Sequence, residues 1–279
     1  MRALKKIIFM LAALRAGTCF AQAAISAETA ALVDTFFELR MNLSLMDGDT
    51  DAGTAEIIAA IDGFEERNSR QIASLSEQDR IVMENFIIME RYNYLYEKDG
   101  QVKAQHEILG AQREKCESFA KTAGDDALSA HFFCTWADIT SCYMGYSVAD
   151  VLKYGTSIKP LYEKALKKEP DFSYALTNIG QYYYFAPKIA GGSKKKALNC
   201  FEKACEAART DAQKYYADIF LSQLLFENKD FARCSALLTE AESFCPGSRY
   251  LAKIRDANKG GLSLYQYNQK KSSLDKEAK

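Results

Sequence analysis

The sequence has no surplus of charge of either sign: 36 lysines and arginines stand against 37 aspartates and glutamates in 279 residues. Without a basic excess there is no broad positive field to gather nucleic acid, and without an acidic one there is no solvating tail. Histidine is scarce. His106 and His131 make no zinc-type spacing with any cysteine, and no Cys-x-x-Cys occurs, so neither a metal nor another cofactor is expected from the motifs. Runs that alternate polar and apolar residues around two-residue turns are missing too, which argues against a β-rich fold. After the N-terminus no stretch approaches the roughly 20 consecutive apolar residues that a membrane-spanning helix needs. What is present is apolar material enough for a substantial core, at 48% of residues, in a chain long enough for one large or two modest domains.

The first residues, MRALKKIIFMLAALRAGTCFAQA, place Arg2, Lys5 and Lys6 before the apolar run Ile7 to Leu14 and end on Ala21-Gln22-Ala23. This is the tripartite pattern of an export signal, residues 1–23, with cleavage after Ala23. The mature chain is then mildly acidic and periplasmic or otherwise exported. The alternative is a lipoprotein anchored through Cys19, since Ala16-Gly17-Thr18-Cys19 distantly resembles a lipidation box. Seven cysteines remain: Cys116, Cys134, Cys142, Cys200, Cys205, Cys234 and Cys245. An odd number cannot all pair, and the expectation is that most serve as small packing residues, with one disulfide open in an oxidising compartment.

Helical periodicity runs through the rest. Leu32, Phe36, Leu39 and Leu43 recur at steps of three and four, as do Ile57, Ile61 and Phe64, then Leu128, Phe132, Trp136, Ile139 and Tyr143. Between these stripes lie stop and start signals such as Asp47-Gly48-Asp49, Gly124-Asp125 and Glu169-Pro170-Asp171. The pattern predicts an all-α chain of about ten or eleven helices.

The C-terminal half repeats itself. Tyr162-Glu163-Lys164-Ala165, Phe201-Glu202-Lys203-Ala204 and Leu238-Thr239-Glu240-Ala241 each join a large apolar residue to an alanine through two polar ones. Pro170 follows the first copy and Pro246 the third; Arg209 stands in that place after the second. Ahead of the later copies lie Ile179-Gly180 with Tyr183 and Ala197, then Leu221-Ser222 with Leu225 and Cys234. Gly180 and Ser222 would let paired helices approach, and the small residues keep their contact faces thin. The region from about 147 to 270 resembles tetratricopeptide repeats in this pattern, at a spacing close to the family's ~34-residue period. The resemblance implies an α-α superhelix. The expected organisation is an N-terminal helical region over 24–146, repeats with a C-terminal capping helix over 147–271, and a polar tail over 272–279.

The stretch YFAPKIAGGSKKKA, Tyr184 to Ala197, has the flavour of a phosphate loop but fails as one. Gly192 occupies the position where the Walker motif needs its lysine, and an aromatic helix precedes it instead of a buried strand. Pro187 and Gly191-Gly192 instead predict an elongated turn, with Ser193 as the N-cap of a helix from Lys194 to Ala208. Lys194 to Lys196 are expected to be solvated, an anionic partner being the alternative. Ala-Pro, a short spacer, Gly-Gly-Ser and a lysine-alanine helix ending Phe-Glu-Lys-Ala together resemble the periplasmic repeat proteins that accompany TRAP transporters, the TatT-like group. That resemblance implies a non-enzymatic helical scaffold that associates with a periplasmic solute-binding protein and carries a small hydrophobic ligand.

In stacked hairpins the first helices line the concave face. The repeat phase puts Tyr174, Thr177, Gln181 and Tyr184 on one such helix and Tyr216, Ile219, Gln223 and Phe226 on the next, as candidate partner- or ligand-binding residues; packing against neighbouring helices or a C-terminal cap is the competing role. None is basic, so recognition of acidic C-terminal tails is not expected. The function that fits is an exported scaffold holding a protein partner or a small apolar ligand, without catalysis. Two alternatives stay open, a cell-envelope hydrolase and a purely structural homo-oligomer. No residue pair is spaced as catalytic machinery.

Overall fold

The computed structural model describes residues 23–270, apart from positions 97, 99 and 269. The expected export signal, except for Ala23, the lipidation alternative at Cys19 and the expected polar tail lie outside the described residues. Within them the chain is all-α, with no strand. The α-helices are α1 (Ala27–Leu43), α2 (Asp51–Ser74), α3 (Glu77–Leu95), α4 (Val102–Ala123), α5 (Ala130–Met144), α6 (Val148–Lys168), α7 (Ser173–Phe185), α8 (Lys194–Ala207), α9 (Asp211–Glu227), α10 (Phe231–Phe244) and α11 (Arg249–Lys259). A further helical turn starts at Leu264. Among the described residues no helix is long and apolar enough to cross a membrane.

Local chemistry sets most of the helix starts. Ser26, Thr50, Ser76, Ser129, Ser147, Ser193, Thr210, Asp230 and Ser248 each accept a hydrogen bond from the amide three residues on. Each satisfies one of the amides that a helix start leaves unpaired. The long turn after α7 is built as its residues suggest. Pro187 opens a short 3₁₀ turn over Lys188–Ala190, Gly191 takes φ +91°, and Ser193 caps α8. A Cβ on Gly192 would run into the Ala186 carbonyl, so glycine is needed there for close approach of the backbone.

Helices α5 and α6, α7 and α8, and α9 and α10 pack as hairpins, and α6 meets α7 as α8 meets α9. The hairpins therefore stack in series as a helical superhelix. Helices α3 and α4 add a pair at the N-terminal side, joined to the next through α4 and α5. Ser147 thus lies inside the α5/α6 hairpin, and the stack reaches back into the first half of the chain. Close packing explains the small residues: an added Cβ on Gly180 would stand 2.5 Å from the Phe201 ring, and Phe201, Ala197, Ala204 and Ala241 have no exposed surface.

The first helices of the pairs, α3, α5, α7 and α9, contact one another and form the inner layer. Helix α1 lies across that layer, touching α3 and, on the far side, α9. Its C-terminal end is tied to the other end of the chain. The Ser44 carbonyl accepts the amides of Arg249 and Tyr250 at 2.9 and 3.3 Å, and the Tyr215 hydroxyl bonds both Ser44 Oγ and Ser248 Oγ. One continuous apolar core runs from Leu32 to Leu264. The chain turns at Gly260 and Gly261, after which Leu264 and Tyr265 are buried. All seven described cysteines are free.

Candidate functional site

Because α1 crosses the inner layer, the concave side of the stack is a partly roofed cavity of about 2000 Å³. Helix α1 contributes Phe37 and Arg40, and α3 contributes Phe86, Glu90, Asn93 and Tyr94. Helix α7 adds Tyr174, Asn178 and Gln181, α9 adds Tyr216 and Phe220, and Asp138 comes from α5. The spacings are helical: Phe86, Glu90 and Asn93 share one face of α3, and Tyr174, Asn178 and Gln181 share one face of α7. The α1–α2 connection, α6, the long turn after α7, helix α11 and residues after it, among them Leu264 and Tyr265, also line the walls.

Aromatic rings fix the floor. Phe37 and Phe86 meet edge to face at 5.4 Å, and Tyr174 packs on both, at 5.1 and 5.4 Å. Edge-to-face pairs at such distances add about 0.5–1.5 kcal/mol beyond their buried area. Two charged groups sit in this frame. Arg40 Nε donates to Glu90 Oε2 at 2.6 Å, and the guanidinium lies over the rings of Phe37 and Tyr216, at 5.5 and 5.0 Å. Burial works against its charge, yet Glu90 and the phenols of Tyr216 and Tyr174 hold its pKa above the ordinary value. Arg40 therefore stays cationic. The Tyr216 hydroxyl donates to the Arg40 carbonyl at 2.8 Å, joining residues 176 apart in sequence.

Asp138 is the second charged group. Its carboxyl accepts from the hydroxyls of Tyr162 and Tyr174 and from the side-chain amide of Asn178, tying α5, α6 and α7 together. Burial pushes its pKa up to about 6, against the lowering effect of these donors and of Arg40. Here desolvation outweighs hydrogen bonding.

The rim has two characters. At the start of α6, at the end of α7 and on the long turn, Val151, Leu152, Phe185 and Ile189 are exposed, Ile189 almost wholly at 98%. Two ion pairs bridge the α1–α2 connection to α11: Arg249 with Asp47 at 3.2 Å and Lys253 with Asp49 at 2.9 Å. These are surface pairs, worth about 0–1 kcal/mol each.

The residues singled out by the repeat phase divide into two sets. Tyr174, Thr177, Gln181 and Tyr216 line the cavity. Tyr184, Ile219, Gln223 and Phe226 do not, because the C-terminal cap and neighbouring helices cover the far end of the inner layer. Tyr184 bonds Glu227 and stacks on Tyr265 at 4.3 Å. Gln223 is fully buried, exchanging hydrogen bonds with Asn258 and accepting the Leu264 amide at 2.8 Å; Ile219 is in the core and Phe226 packs on Phe231 at 5.3 Å. Lys194 is engaged within the chain, pairing with Glu227 at 2.6 Å and covering the Tyr184 ring.

Sequence reasoning did not single out Phe37, Arg40, Phe86, Glu90 or Asp138, all from the first half. Their one signal was a charge set among apolar positions: Arg40 beside the Leu32–Leu43 stripe, and Asp138 inside the Phe132–Tyr143 stripe. Among the described residues no group of three or more His, Cys, Asp and Glu is placed to hold a metal ion. Neither histidine lines the cavity. His131 is packed on Phe172, with burial drawing its pKa down to about 4, and His106 stacks on Tyr143. No protein-family model matches the chain, and no curated protein matches it.

Proposed function

We propose that the chain is an exported, non-enzymatic scaffold of the tetratricopeptide-repeat type that holds a small, mostly apolar ligand in its central cavity and offers the rim to a protein partner. The cavity carries this reading. Its volume exceeds the roughly 300–1,000 Å³ of usual ligand pockets, and its walls combine aromatic and aliphatic side chains with charged and amide groups. Its floor is fixed by ring packing and hydrogen bonds, so binding would cost little reorganisation. The exposed Val151, Leu152, Phe185 and Ile189 lie beside the opening, where an apolar surface most often marks an interaction site. The likeness of the Tyr184–Ala204 segment to TRAP-associated repeat proteins makes a periplasmic solute-binding protein the natural partner.

The experiment has two arms. Native mass spectrometry of the mature chain, before and after extraction with organic solvent, is expected to show a removable small-molecule adduct. Cross-linking in envelope extract is expected to capture a solute-binding protein through the rim. Absence of any adduct, together with failure of apolar fluorescent probes to bind the extracted chain, would refute a ligand-carrying cavity. Capture of self-copies alone would favour a purely structural assembly, and turnover of an envelope substrate that follows the protein through purification would favour an enzyme.

A further inference from the structure

The polar groups on the cavity floor are not equally occupied. Asp138 is saturated by Tyr162, Tyr174 and Asn178. Arg40 is not: it spends only Nε, on one oxygen of Glu90, and among the described residues the outer nitrogens Nη1 and Nη2 have no hydrogen-bond partner. The Arg40 side chain is only 17% exposed, and that of Glu90 4%. A guanidinium held by Nε presents its outer edge as a two-pronged donor, the geometry that matches a carboxylate bidentately. The rings of Phe37 and Tyr216 fix its plane from the sides. Glu90, further held by the Asn93 amide at 3.2 Å, thus acts as the group that aims Arg40. Tyr94 and Tyr250 line the same cavity, and their hydroxyls likewise have no partner among the described residues.

We infer that the floor is a head-group site for a monocarboxylate, with the outer edge of Arg40 clamping the carboxylate and the apolar body of the ligand running toward Val151, Leu152, Phe185 and Ile189. This deepens the reading of the cavity as a ligand carrier and rests on it. The outer edge of one guanidinium matches one carboxylate, which sets the head group on this floor at a single carboxylate. An alkylammonium is disfavoured on this part of the floor, where Arg40, Tyr94 and Tyr250 offer donors.

Calorimetry on the solvent-extracted mature chain with laurate, dodecanol and dodecylamine tests this. Laurate is expected to bind most tightly and dodecylamine most weakly. Arg40→Lys keeps the charge but removes the fork, and is expected to weaken laurate about 10- to 100-fold, the range for hydrogen bonds to charged groups, and dodecanol by less, since a neutral hydroxyl cannot use both prongs. Glu90→Gln removes the competing carboxylate and is expected to tighten laurate binding, which loss of a merely structural contact would not do. It also decides the matter if Arg40→Lys does not fold, as judged by circular dichroism. Equal affinity for laurate and dodecanol, or laurate binding indifferent to both substitutions, would overturn the head-group site and leave the apolar carrier standing. Failure of all three probes to bind would remove both.

Discussion

Asp138→Asn should change how stability depends on pH in a way that can be worked out beforehand. In the folded chain the Asp138 pKa is up at about 6, from its ordinary value of 3.8, because burial costs the charged form more than its hydrogen-bond donors return. The folded state therefore holds the Asp138 proton more tightly than the unfolded state does. Above both pKa values the ionised group weighs against folding; as pH falls through about 6 toward 3.8 that penalty is relieved. The full span of about two pKa units corresponds to about 3 kcal/mol, since one unit is about 1.4 kcal/mol. Between pH 8 and pH 4.5 about 2 kcal/mol of it is sampled, or roughly 4–8 °C in Tm for a chain of this size. Other carboxyls titrate in the same range, and some, such as Glu117 and Glu227, have lowered pKa values and act in the opposite sense. The informative quantity is thus the wild-type minus Asp138→Asn difference, in which they cancel. Urea midpoints at several pH values would supply it. The wild type should gain on the variant as the solution is acidified from pH 8 to pH 4.5. A difference that stays flat, or runs the other way, would mean that Asp138 is not desolvated at the α5–α6–α7 junction as described.

Two substitutions on the inner layer that look alike should part company. Gln181→Lys places a charge at the cavity wall, where its half-buried side chain reaches solvent, and should weaken apolar-ligand binding with little change in melting temperature; Gln223→Lys strands a charge among Asn258, Ser222 and the Leu264 amide and should cost about 3–5 kcal/mol, read as loss of the folded fraction in urea. Equal stability of the two variants would refute the division of this layer into a cavity end and a capped end. Gly180→Ala should cost about 1–2 kcal/mol, since a methyl 2.5 Å from Phe201 forces overpacking of about 1–3 kcal/mol against a helix-propensity gain of up to about 1 kcal/mol. A melting temperature raised by this change would show that α7 and α8 are less closely packed than the repeat geometry requires.

Much of this architecture is written locally. Serine and threonine caps, three- and four-residue apolar steps, and the Pro187, Gly191 and Gly192 turn act over a few residues, and the helices start and stop close to where they point. The hairpin pattern of the second half is of the same kind, because Gly180 and Phe201 meet across a single turn. The candidate site was legible in part. Tyr174, Thr177, Gln181 and Tyr216 are correctly phased toward the inside, whereas Tyr184 and Gln223 share that phase and are covered by Leu264 and Tyr265, residues whose landing place no periodicity encodes.

An all-helical chain and small-residue contacts between paired helices are legible from local sequence, since both follow from interactions within a turn or between adjacent segments. Long-range packing is what makes the concave side a roofed cavity. That outcome depends on α1 lying across helices far along the chain, with Arg40 meeting Tyr216 and Phe37 meeting Tyr174. Such meetings follow from the accumulated tilt of every hairpin between them. An apolar stripe says that a helix face must be covered, and it leaves open which distant helix will cover it.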